Sequence, residues 1–181
     1  MKRITLFILA IVMITVSVSA NTYDDSSVLG NPYVEEAIKS GVISSENLDN
    51  LKDKITREKA CEIIVDVLKS ELPDVMLEKR FDDTDNKAVE YLYNIGVVGG
   101  KGNNKFCPDD FVTREEMAKI AVNTYIIMHS DYVDKDYYNG YWDEYKISQW
   151  ALSYVSKSSG LGIMSGIYNG EFPYFAPILI F

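Results

Sequence analysis

Two arginines stand at matching places in this chain: Arg57 follows Ile55-Thr56, and Arg114 follows Val112-Thr113. In each case the threonine can cap a helix whose first turn then carries the arginine, although a cation there opposes the positive end of the helix dipole. The cost is small where the guanidinium meets an anion. Two chemistries fit: a bidentate grip on a ligand carboxylate, helped by free helix amides nearby, or an internal pair with a loop aspartate. Trp150 adds a large amphipathic ring, suited equally to stacking on a sugar face and to filling a core.

The remaining reactive side chains exclude more than they suggest. Asp82, Asp83 and Asp85 lie close together, but the calcium-loop spacing with its glycine and final glutamate is missing, so they are read as helix-capping or solvent-facing groups. Cys61 falls in an apolar helical pattern and Cys107 in a loop. They are read as a disulfide or as two buried small hydrophobes. With one histidine, His129, they fall short of a four-ligand zinc site, and no metal or cofactor is expected. There is no G-x-S-x-G elbow, H-E-x-x-H pair or phosphate loop, so no enzyme is expected. The thirteen tyrosines, dense from Tyr125 to Tyr145, form either a carbohydrate- or protein-binding surface or scattered exposed aromatics.

A chain of 181 residues with 47% hydrophobic and 25% charged residues suits one globular unit or a few small co-packed units. Residues 1–20 read as a secretory signal peptide: Lys2 and Arg3 precede an apolar run from Ile4 to Val16, and Val18-Ser19-Ala20 supplies the small residues of a cleavage site. Its removal deepens the formal net charge of −9 by two. Such a protein does not seek nucleic acid or anionic lipid through bulk electrostatics, and no later segment is apolar enough to span a membrane. An exported protein, secreted or held at the cell wall or cell surface, is expected.

Residues 81–116 organise the rest. Phe81-Asp82-Asp83 opens the segment, and Ala88, Val89, Leu92 and Ile95 draw a short helical stripe that Gly96 ends. Gly99, Gly100 and Gly102 make a turn, and Phe106 and Phe111 return the loop to the core. Thr113 and Glu116 form a capping box, followed by Met117, Ile120, Ala121, Thr124 and Met128 on one face. Partial copies flank it. Tyr23-Asp24-Asp25 opens the first, whose second helix begins at Thr56 and carries Ala60, Ile63, Ile64, Val67 and Leu68; Lys59 there cannot complete a capping box. In the last, Trp142-Asp143 matches the opening, Trp150, Tyr154 and Val155 begin a helix, and Gly162-Ile163 parallels Gly96-Val97. Gly166 parallels the glycine turn, and no second helix follows. The Thr56-to-Thr113 separation of 57 residues fits two helices with a structured loop.

On these motifs the chain resembles the S-layer homology family, whose members carry an F-x-D opening, a Trp-led short helix, a GI-x-x-G turn, an F-x-P loop and an ITRAE-like helix start. The resemblance implies a mainly α fold of three tandem helix-loop-helix repeats in a pseudo-threefold arrangement: 21–72, 78–129 and 141–181, the third incomplete. It implies non-covalent binding of an anionic, pyruvylated secondary cell-wall polysaccharide, retaining an exported protein at the surface. A degenerate fold serving a surface-protein partner or assembly is the alternative. The implied ligand-binding residues are Arg57, Arg114, Trp150, Asp25, Asp83, Asp143, Gly100 and Gly166. Leu29 and Thr84 stand at the Trp place of the first two copies, Lys59 replaces the motif glutamate, and the third arginine is missing.

Overall fold

A computed structural model describes residues 54–68, 72–135 and 144–164, together with Lys39, Tyr137 and Tyr141. The expected signal peptide, most of the expected first copy including Asp25, and Trp142, Asp143, Gly166 and the C-terminal segment lie outside the described residues, as does the side chain of Val67. The fold is mainly α. Its helices are α1 (Arg57–Leu68), α2 (Lys87–Asn94), α3 (Arg114–Met128) and α4 (Leu152–Gly160), with a 3-10 turn at Glu144–Lys146. Two isolated bridges and no strand accompany them among the described residues.

The α3 start is the expected capping box: the Thr113 hydroxyl accepts from the Glu116 amide at 3.2 Å, and Glu116 Oε2 accepts from the Thr113 amide at 2.9 Å. At α1 the Thr56 hydroxyl accepts from the Lys59 amide at 3.2 Å, but Lys59 turns to Glu62 at 3.2 Å. The first two α1 amides go elsewhere. Arg57 N donates to the Asp110 carbonyl at 2.8 Å and Glu58 N to the Pro108 carbonyl at 3.1 Å. An antiparallel bridge between Thr56 and Phe111 extends this seam, and the Val112 amide closes it on the Ile55 carbonyl at 3.0 Å. The approaches to the two long helices are thus sewn together.

The short helices end alike. After α2, Gly96 has φ +80°, and the Val97 and Val98 amides both reach the Leu92 carbonyl, at 2.8 and 3.3 Å. After α4, Gly162 has φ +68°, and the Ile163 and Met164 amides both reach the Ser158 carbonyl, at 2.7 and 3.1 Å. This glycine-terminated stop needs the left-handed conformation that costs other residues energy. The correspondence runs with an offset of 66 residues and places Ile147, itself buried, at the position of Phe81.

Phe81, Phe106, Leu92, Val112, Ile163 and Met164 are among the buried core side chains, with Phe81 set edge-on to Tyr93 at 5.0 Å and tilted against Phe106 at 5.3 Å. On α1, Ala60, Ile64 and Leu68 are buried and Ile63 packs partly against them. α1 packs on α2, and α3 on α4. Phe111 departs from the sequence reading: it is 47% exposed, with the Lys54 ammonium 5.3 Å from its ring centroid, because the Thr56–Phe111 bridge turns it outward. The tight turn after the glycines depends on asparagines as well. Asn103 (φ +48°) and Asn104 (φ +55°) form a two-residue hairpin turn between Gly102 and Lys105, a conformation asparagine tolerates.

Among the described tyrosines of this segment, several pack against neighbours. Tyr125 stacks on His129 at 3.9 Å and meets Tyr132 edge-on at 5.9 Å, and the Tyr137 ring lies directly on Gly160. Tyr145, at 83% exposure, points outward. Cys61 and Cys107 are both free thiols. Burial pushes the Cys61 thiol up to about 12.

Thr113→Ala removes one half of the α3 capping box and is expected to cost about 1 kcal/mol, read as a lower thermal midpoint with unchanged helical content after refolding.

Candidate functional site

An open groove of about 650 Å³ lies where three segments converge. Arg57 comes from the first turn of α1, and Val98, Gly99, Gly100 and Lys101 from the turn after α2. Glu116, Lys119 and Ile120 come from α3, and Trp150 and Tyr154 from the start of the α4 region. Three of the residues singled out from sequence therefore meet here: Arg57, Gly100 and Trp150.

Arg57 forms part of the floor. It is 5% exposed. Its Nε donates to the Phe106 carbonyl at 2.9 Å, Nη1 to Glu116 Oε1 at 2.6 Å and Nη2 to the Gly99 carbonyl at 2.6 Å. The guanidinium also lies 4.4 Å from the centroid of the Phe106 ring. The pairing is internal, as one of the two sequence readings allowed, but the partner is the glutamate of the α3 cap and not a loop aspartate. The physical reason is the seam described above, which brings the α1 and α3 starts together. The amides of that α1 turn are taken by Asp110, Pro108 and Thr56, so they offer no ready anion nest.

Gly100 serves close approach. A Cβ there would stand 2.7 Å from Phe81 Cε1 and 2.8 Å from the Lys105 carbonyl oxygen, so the groove wall can be this thin only with glycine. Trp150 is 50% exposed and presents an aromatic wall, with half-buried Tyr154 behind it.

Arg114 lies apart from this groove. It is 1% exposed and among the largest fully buried side chains; burial lowers its pKa to about 10, which Tyr141 opposes, and it stays charged at neutral pH. Asp83 is likewise turned inward. Its two oxygens accept from the Phe106 and Cys107 amides, each at 2.9 Å, pinning the loop on which Arg57 rests. The Phe106 amide, and then that of Cys107, hold its carboxyl below the ordinary aspartate range. The α2 cap expected from the acidic cluster is Asn86, whose side chain accepts from the Ala88 amide at 2.9 Å. With the 66-residue offset, the place of Asp83 in the last copy falls on Gln149, while Asp143 lies outside the described residues.

Sequence reasoning missed the polar face of α3. Asn123 donates to the Gly96 carbonyl at 2.9 Å, Lys119 Nζ lies over Gly99, and Glu116 holds Arg57. Positions 116, 119 and 123 recur at helical spacing, a signal that reads from sequence as an ordinary solvent face. The two acids after the first-turn arginines also bridge segments: Glu58 accepts from the Thr84 hydroxyl at 2.6 Å, and Glu115 from the Ser148 amide at 2.6 Å.

Arg57→Ala takes from part-buried Glu116 its closest cation, leaves the Phe106 and Gly99 carbonyls without their donor, and is expected to destabilise the fold by about 3 kcal/mol, measured by denaturant unfolding. For Asp83 the depressed carboxyl gives the sign: its contribution is complete above the unfolded aspartate value, about 3.9, and fades as pH falls through the lower folded value. The stability gap between wild type and Asp83→Asn is therefore expected to be present at neutral pH and to close in acid.

Residues 80–118 and 141–172 match the S-layer homology domain model. The chain is 28% identical over 146 residues to an endoglucanase of Bacillus sp. (strain KSM-635), covering 78% of this chain and 15% of the relative. It is 35% identical over 79 residues to exoglucanase XynX of Acetivibrio thermocellus, covering 44% of this chain and 7% of the relative. It is 34% identical over 85 residues to an amylopullulanase of Thermoanaerobacterium thermosulfurigenes, covering 47% of this chain and 4% of the relative. The chain thus spans a small fraction of each relative's length. Residues 80–118 and 141–172 thus carry the sequence pattern of the S-layer homology domain.

Proposed function

We propose that this protein is a non-catalytic module that binds an anionic secondary cell-wall polysaccharide non-covalently and so retains itself, or a chain it belongs to, at the bacterial cell surface. The observation that carries the reading is the composition of the groove. Arg57, Lys101 and Lys119 outnumber Glu116 in its lining, although the chain as a whole carries −9, and a half-exposed tryptophan stands beside them. A concave site with local positive charge concentrates anionic polymers, and an indole face stacks on the apolar face of a pyranose. The match of residues 80–118 and 141–172 to the S-layer homology domain supports the same reading. So does the pattern of relatives: three polysaccharide-degrading enzymes by name, each sharing 15% or less of its length with this chain. We take the shared portion to be the retaining module and not a catalytic one.

The architecture we propose for the whole chain is three copies about a pseudo-threefold axis, over 21–72, 78–129 and 141–181, behind a cleaved leader at 1–20. The repeated helix stops after α2 and α4, and the repeated bridging by Glu58 and Glu115, support it.

The test is sedimentation of the folded protein with purified wall sacculi before and after removal of their secondary polymer. Binding is expected only to the intact walls. Trp150→Ala is expected to weaken binding about tenfold, at the upper end of the about 0.5–1.5 kcal/mol of an aromatic stacking contact, with the unfolding midpoint unchanged because the ring is half exposed. Equal sedimentation with stripped walls would refute the polysaccharide reading.

A further inference from the structure

We infer that Lys119, and neither family arginine, is the cation that meets the ligand's negative charge. This rests on the wall-polysaccharide reading above and sharpens it to an anionic substituent carried on a sugar that stacks against Trp150.

The inference follows from how each charge in the groove is already engaged. Arg57 is 5% exposed; each guanidinium nitrogen donates to a protein acceptor, and the Phe106 ring covers one face. A guanidinium held this way fixes the floor and has little left to offer a ligand. Arg114 is buried and does not line the groove. Lys101 reaches Asp110 at 2.7 Å and Glu116 at 3.8 Å. Glu116 is itself saturated, with Oε1 on Arg57 and Oε2 on the Thr113 amide.

Lys119 differs. Among the described residues it makes no ion pair; its ammonium lies 6.0 Å from the centroid of the Tyr154 ring and directly over Gly99, where a Cβ would sit 2.9 Å from Nζ. The absence of a side chain at Gly99 leaves this ammonium room on the floor of the groove. The tryptophan and the ammonium line one groove, from the α4 and α3 regions respectively, so a pyranose can rest on the first while an anionic substituent reaches the second. A compact ammonium on a flexible stem accepts a single carboxylate or phosphate without demanding bidentate geometry. The shared chemistry is therefore one anionic group per recognised sugar.

The experiment titrates the full chain with purified wall polysaccharide in three forms: native, carboxyl-reduced and dephosphorylated. Lys119→Gln is expected to weaken binding to the native polymer about tenfold, the loss of one charge-assisted hydrogen bond, and to flatten the salt dependence. Lys119→Arg should restore most of the affinity, and neither variant should move the unfolding midpoint. Against whichever treated polymer has lost the recognised group, wild type and Lys119→Gln should bind equally; carboxyl reduction having this effect identifies a carboxylate, and dephosphorylation a phosphate. Native-polymer binding by Lys119→Gln equal to wild type overturns the lysine assignment while leaving the wall reading intact. An unabolished lysine dependence on both treated polymers overturns it too. Absence of wild-type binding to all three forms removes the wall reading and this inference together.

Discussion

The guanidinium of Arg57 is the point on which the described structure turns. Its three nitrogens hold the glycine turn, the Phe106 loop and the cap of α3, pieces that lie 42 to 59 residues away along the chain. Taking a cation this far out of water is costly, and the cost is offset because every nitrogen finds an acceptor and one acceptor is charged. The arrangement makes the side chain a spacer. Removing any partner would let the groove floor shift, so the geometry of the groove is set from beneath by a residue that barely reaches its surface.

Above that floor, the groove separates tasks among segments distant in sequence. The α1 region and the glycine turn supply a thin base, α3 supplies a lysine ammonium, and the turn into α4 supplies an aromatic wall. The local excess of positive charge sits within a strongly acidic chain. Such a distribution disfavours general adhesion to polyanions, because the acidic chain as a whole repels them, while the groove locally favours negative charge.

How much of this was legible depended on the distance over which each signal acts. The Thr113–Glu116 cap acts across three residues and was plain from the sequence, as was the glycine that stops each short helix. The placement of Arg57 and Asp83 was not, since both side chains find their partners 23 or more residues away, and a side chain's type does not tell a groove wall from a groove floor. Phe111 was misplaced because an isolated bridge, and not hydrophobicity, sets its direction. Lys119 was overlooked because a lysine on the polar face of an amphipathic helix looks like any solvated residue until the glycine turn is seen beneath it.

Glu116 adds a consequence for how the chain acquires its structure. One carboxylate oxygen completes the turn that starts α3, and the other accepts the arginine of the preceding copy. The residue that caps the helix start in one copy thus also pairs with the arginine of its neighbour. In stacked repeat proteins each unit has an intrinsic stability to which interfaces add. Here the interface reaches inside the unit, so the smallest cooperative piece is larger than the motif that repeats. Borders drawn where the sequence starts over do not coincide with borders of independent stability: cutting along them would leave the first two α1 amides without their Asp110 and Pro108 acceptors, and Glu116 without Arg57.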